Sequence, residues 1–185
     1  MQVTKTNLEG VLILEPKVFG DARGWFMETW SARKMEAAGL IFNFVQDNQS
    51  YSAQKGTLRG LHYQTAPFAQ TKLVRCTRGK LLDVAVDIRE GSPTFAKWVA
   101  VELTAENKKQ LLIPRGFAHG FLTLTDDVEI QYKADNFYAP TCDGNIIWND
   151  AEIKLDLPFA PTILADKDAK APTLRERLER GELKF

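Results

Sequence analysis

The chain has 185 residues, of which 44% are apolar and 26% charged, so it has the make-up of one soluble globular domain with a sizeable core. Its 24 basic and 24 acidic residues cancel, which excludes the strong field that nonspecific binding to nucleic acid or an anionic membrane requires. Any anion site must be built locally from a few convergent Arg and Lys. Two cysteines, Cys76 and Cys142, do not make a disulfide framework, and the apolar run Val11–Leu14 is too short for a signal peptide or a membrane span. The expectation is one cytoplasmic domain over residues 1–185, with no membrane and no nucleic-acid partner.

Taken in order, the segments read mostly as short strands. Phe19 to Glu28 reads as a strand entry or a loop, with Asp21, Arg23 and Glu28 among Phe19, Trp25 and Phe26. Ser31 to Ala38 reads as a short helix, capped by Ser31 and ended by Gly39. Leu58 to Gln64 alternates with period two, which puts Leu58, Gly60, His62 and Gln64 on one face. Leu82 to Ile88 carries apolar residues at its even positions and Asp83 and Asp87 at odd ones. Val99, Val101 and Leu103 share a face, and Leu111–Ile113 is a buried run ending at Pro114-Arg115-Gly116. Phe117 to Thr125 and Val128 to Lys133 follow, with Thr125-Asp126-Asp127 read as a hairpin turn between them. Val128, Ile130 and Tyr132 share an apolar face, which points Tyr132 inward. The tail is a second helix in which Thr173 caps, Glu176 pairs with Arg180, and Gly181 ends the run. Short strands with frequent turns and sparse helix predict a β-barrel or jelly roll with helices at its edge.

Only two histidines occur, His62 and His119, each shortly after an Arg-Gly step in an apolar strand. Histidine titrates near neutral pH, so these two are the natural candidates for a proton-abstracting base. Such a base needs an orienting carboxylate, and Asp83, Asp87 and Asp168 are all available by spacing. A metal site is the rival reading in a small β-barrel, but the chain has no His-x-His pair. There is no glycine-rich loop of the P-loop or Rossmann type. By themselves Tyr132 reads as a core tyrosine, Lys72 as a surface lysine, Cys76 as a small core residue and Phe137 to Pro140 as a packed corner.

Together, nine stretches resemble the dTDP-4-dehydrorhamnose 3,5-epimerase family. They are FGDARGWFMETW (19–30), FVQDNQS (44–50), LRGLHYQ (58–64), QTKLVRC (70–76), DVAVDIREGSPTF (83–95), IPRGFAHGF (113–121), QYKADNFYAP (131–140), IIWND (146–150) and ADKDAKAP (165–172). The resemblance implies a mainly β, cupin-like jelly roll with short peripheral helices. It implies an isomerase of dTDP-rhamnose biosynthesis, acting on dTDP-4-dehydro-6-deoxy-D-glucose at C3 and C5 with no cofactor and no metal. It also implies a homodimer.

The resemblance assigns roles as well. His62 is the base, Asp168 its carboxylate partner, Tyr132 the acid on the opposite face of the sugar, and Lys72 the cation beside the keto oxygen. Arg23, Glu28, Gln46, Asn48, Arg59, His119 and Lys167 contact nucleotide, diphosphate or sugar, and Tyr138 stacks on thymine. Asp143 stands where the family commonly has Glu, so the carboxylate is kept on a shorter arm. Three alternatives stay open: an epimerase acting at one centre only, a metal-dependent cupin enzyme, and a non-catalytic dTDP-sugar binding module.

Overall fold

A computed structural model describes all 185 residues. Thirteen strands and three short helices follow one another along the chain. A six-stranded antiparallel sheet joins β1 (Gln2–Lys5), β2 (Leu12–Glu15), β10 (Gln110–Ile113), β7 (Lys72–Arg78), β12 (Val128–Ala134) and β5 (Gln46–Ser52), in that order. Facing it, a five-stranded sheet joins β13 (Asp143–Asn145), β6 (Leu58–Gln64), β11 (Phe117–Thr123), β8 (Lys80–Asp87) and β9 (Trp98–Thr104). The remaining pair, β3 (Val18–Asp21) and β4 (Gly24–Met27), is a separate hairpin.

Side-chain alternation determines what each face buries. Between the sheets, Val74, Cys76, Leu111, Val128 and Ile130 of one meet Leu81, Ala85, Leu103, Phe117 and Phe121 of the other. The outer face of the six-stranded sheet packs Leu12, Leu14, Leu73 and Leu112 under Met35 of α1 (Ala32–Ala37). Ser31 caps that helix and Gly39, at φ +75°, leaves it. The outer face of the five-stranded sheet packs Val84, Val86 and Ile88 under Ile153, Leu174 and Leu183 of the C-terminal segment. There α3 (Leu174–Glu179) starts with a full capping box between Thr173 and Glu176. The jelly roll with edge helices is therefore what the alternation and caps foretold.

Two expectations need correction. Thr125-Asp126-Asp127 is not a hairpin turn, because β11 and β12 lie in different sheets. Both edges of each strand are occupied: β11 lies between β6 and β8, and β12 between β5 and β7. The turn instead crosses the sandwich, where Thr125 accepts from the Lys80 N–H and Asp126 from the Lys55 N–H. Finally, Phe137 and Tyr138 do not pack into a corner; both rings are more than half exposed. In β8, Asp83 and Asp87 are fully buried, because they share with Leu81 and Ala85 the face of the strand that meets the other sheet.

Candidate active site

A cavity of about 600 Å³ opens between the two sheets. His62 of β6 and Tyr132 of β12 both line it, from opposite sheets, as do Lys72 and His119. Arg59, Asn48, Lys167 and Asp168 complete the wall among the residues expected there.

The two histidine strands approach closely because two glycines allow it. His119 stands opposite His62 in the β6–β11 pairing, next to an irregularity in the register. A Cβ on Gly60 would lie 2.6 Å from the Gly120 Cα, and Gly60 itself has φ +123°. A Cβ on Gly120 would lie 2.8 Å from the Arg59 carbonyl oxygen. No other residue type fits either position without moving a strand.

Each histidine is paired with a different carboxylate. His62 Nε2 lies 2.6 Å from Asp168 Oδ1, and the other oxygen of Asp168 accepts from the Gly60 N–H at 3.2 Å. Asp168 comes from α2 (Asp166–Ala169) and is almost fully buried. Burial pushes its pKa up, but the His62 bond, the Gly60 N–H and the Lys167 charge outweigh that and hold it below the usual carboxylate value. His119 Nε2 lies 2.7 Å from Asp83 Oδ1, deep in the core. Asp87 serves neither histidine: it holds Arg89, Ser92 and Thr94. Of the three carboxylates left open by spacing, the fold thus gives Asp168 to His62. No three His, Cys, Asp or Glu side chains converge in the geometry of a metal site.

The other two chemically active groups are tuned by the cavity. Lys72 is not the surface lysine that its segment suggests, because β7 turns it inward toward the Tyr132 ring, whose centroid is 6.0 Å from Nζ. Desolvation lowers its pKa to about 8, against the pull of Asp143 and Asp83. Desolvation, helped by the Asp143 charge and opposed by Arg59, raises the Tyr132 phenol above its ordinary value, so it keeps its proton through the physiological range.

The rim collects further expected residues. Asn48 stands opposite Tyr132 across the β5–β12 pairing, and its side-chain oxygen accepts from Gln46 Nε2 at 2.9 Å. Gln46 Oε1 in turn accepts from the Tyr138 backbone N–H, and the Tyr138 side chain is exposed. Arg59 is anchored by Ser52 and the Tyr51 carbonyl. Asp143 meets Lys167 at 3.5 Å. Arg23 and Glu28 stand apart. Arg23 pairs with Asp21 on the tip of the β3–β4 hairpin and Glu28 with Lys34, and neither lines the cavity of its own chain. Asp83 as the His119 partner, and Asn145 beside His62, escaped the sequence reading. The first lay among several carboxylates, and the second sits in a strand of three residues, too short to show a period.

A jelly-roll cavity with an imidazole–carboxylate pair on one wall and a protonated phenol on the other defines a proton-transfer enzyme of the cupin-like class. The family described as dTDP-4-dehydrorhamnose 3,5-epimerase matches residues 5–176, and this chain belongs to it. The enzyme of that name from Shigella flexneri is 56% identical, over 91% of this chain and 93% of its own length. The structure of dTDP-6-deoxy-D-glucose-3,5-epimerase from Legionella pneumophila, in complex with dTDP-4-keto-L-rhamnose, superposes with a TM-score of 0.93. It is 43% identical and covers 99% of this chain and 97% of that one. A 3'-monoepimerase from Streptomyces bikiniensis, in complex with dTDP-quinovose, superposes with a TM-score of 0.90 at 35% identity, over 97% of this chain and 91% of that one.

Proposed function

We propose that the chain converts dTDP-4-dehydro-6-deoxy-D-glucose to dTDP-4-dehydro-β-L-rhamnose by inverting C3 and C5, in dTDP-rhamnose biosynthesis. The observation that carries this reading is one cavity with His62 and Tyr132 on opposite walls and Lys72 between the sheets. The C4 ketone acidifies the C–H bonds at C3 and C5. Because His62 Nε2 is bonded to Asp168, Nδ1 is the ring nitrogen left to take each proton. The Asp168 carboxylate fixes the ring and stabilises the imidazolium that forms. The electrons move onto the ketone oxygen, where the Lys72 ammonium meets the developing charge, worth on the order of 3–4 kcal/mol. Inversion then needs a proton from the other face, which the Tyr132 phenol supplies. Arg59 and Lys167 face the diphosphate, Tyr138 the thymine, and Asn48, Gln46, His119 and Asp143 fix nucleotide and sugar. Electrons are neither gained nor lost overall, so the reaction calls for no redox cofactor.

Proton NMR in D2O tests this directly. Deuterium is expected at both C3 and C5, with the product trapped by an NADPH-dependent reductase. Deuterium at one carbon alone would instead make the chain a single-centre epimerase, the reading that the Streptomyces bikiniensis neighbour keeps in view. A second expectation concerns the acid. Tyr132→Phe should slow product formation by about 10²–10⁴-fold while leaving C–H exchange comparatively fast, because the enolate still forms but is reprotonated from the His62 side. Equal losses in exchange and in product would remove Tyr132 from the acid role.

The same reading includes a homodimer and a cytoplasmic enzyme with both cysteines reduced. The hairpin exposes Val18, Phe19, Trp25 and Phe26 to water, a patch of the kind that marks an interface. It also carries Arg23 away from the cavity of its own chain. A second copy accounts for both facts if the hairpin reaches the partner's diphosphate site. Light scattering should give twice the chain mass, and Arg23→Ala should raise KM with little change in kcat. A monomer at assay concentration would end this part of the proposal.

A further inference from the structure

Beyond the residues already given roles, the structure assigns a positioning function to Asn145 and Arg177, which tether the turn that carries Asp168 to the strand beside His62. The inference rests on the reading of His62–Asp168 as the base. Asn145 stands directly opposite His62 in the pairing of β13 with β6. Its amide Nδ2 donates to the Lys167 carbonyl at 2.9 Å, one residue from Asp168. The helix there spans only Asp166–Ala169 and has no side-chain cap of its own. Its backbone therefore depends on outside bonds to hold its position, and Asn145 supplies one from the sheet.

Arg177 decides which way that amide points. Its Nη2 donates to Asn145 Oδ1 at 2.8 Å, and its Nε donates to the Asn145 backbone oxygen at 3.0 Å. With the oxygen end committed to a guanidinium, only the NH2 end is free to face Lys167. Arg177 is itself held by Glu182 at 2.6 Å and is largely buried. A continuous line of charge-assisted and amide hydrogen bonds thus runs from the C-terminal segment to the residue beside the dyad. Its consequence is kinetic. The base is productive only when its carboxylate partner is fixed, and a displacement of about 1 Å at such a site costs up to about 10²-fold in rate.

The test is a double-mutant cycle on kcat, read with proton NMR of the imidazole N–H that bonds Asp168. Asn145→Ala is expected to lower kcat about 10- to 100-fold with KM changed less than about twofold, and to broaden the N–H signal by loosening the bond. In an Asp168→Asn background the same substitution is expected to cost less than about threefold, because the carboxylate charge whose placement it secures is already gone. Arg177→Gln, which leaves the strand and its amide in place, should show a smaller loss with the same non-additivity. Full activity in Asn145→Ala, or losses that multiply in the Asp168→Asn background, would overturn the tether while leaving the dyad standing. Wild-type turnover in Asp168→Asn alone would overturn both.

Discussion

Replacing His62 with alanine is expected to stop deuterium uptake at C3 and C5 together, with turnover down by at least about 10²–10⁴-fold, the usual contribution of a general base. The loss should strike both carbons because one imidazole is the only base the cavity offers in the required setting. His119, the other histidine, cannot substitute for it. It has the same Nε2–carboxylate pairing, but its side chain is only 9% exposed against 27% for His62, so its ring is far less open to the cavity. The pair assignment gives a sharper form of the same test. Asp168→Asn keeps a hydrogen-bonding group in place but withdraws the charge that stabilises the imidazolium, so it should lower kcat with only a small change in KM. Near-wild-type exchange at either carbon in His62→Ala would show that a different group takes that proton.

The second large effect joins activity to stability. Lys72→Met should lower kcat by about 10²–10³-fold, the cost of removing one preorganised donor from a developing oxyanion. The same substitution should make the protein more stable. Burial lowers the Lys72 pKa from 10.5 to about 8, so at neutral pH the fold holds an ammonium in a poorly solvated place. Allowing for its partial exposure, that costs on the order of 2–3 kcal/mol, and a chain of this size should gain roughly 5–10 °C in Tm when the charge goes. The pH dependence has a definite sign. Between about 8 and 10.5 the unfolded chain binds the Lys72 proton and the folded one does not. Lys72 therefore makes stability rise with pH across that window. Below about 8 both states hold the proton and the burial cost is constant.

Activity should run the opposite way. The kcat/KM profile should fall as pH rises through about 8, as the ammonium that meets the enolate loses its proton. Lys72→Arg keeps the charge and should lose that alkaline limb. An alkaline limb that persists in Lys72→Arg, or a Tm that falls in Lys72→Met, would show that Lys72 does not carry this strained charge.

Much of this arrangement was legible in the chain itself. Period-two alternation placed Val128, Ile130 and Tyr132 on the buried face of one strand, and the structure has them there. The caps at Ser31 and Thr173 and the glycines at 39 and 181 marked both longer helices, since these are local devices with local signals. The turn at residues 125–127 was misread for the complementary reason. A turn sequence reports backbone bending but not which neighbour each strand takes, and that depends on edges already occupied by distant segments. Likewise the period of β8 puts Asp83 and Asp87 on one face without showing that the face is buried, because that depends on the other sheet closing over it.

The sequence by itself determined several of the strands, both longer helices, the inward face of Tyr132, the scarcity of bases and, through its motifs, the family. Those properties follow from neighbours a few positions apart, or from residue counts. Spacing left the partner of His62 open and the family motifs pointed to Asp168; only the tertiary structure decided that Asp83 serves His119, that Lys72 is half-buried rather than on the surface, and that Arg23 and Glu28 lie outside the cavity of their own chain. Each of these is set by contacts between segments far apart in the chain, and by the desolvation those contacts create. No periodicity along a single strand encodes either.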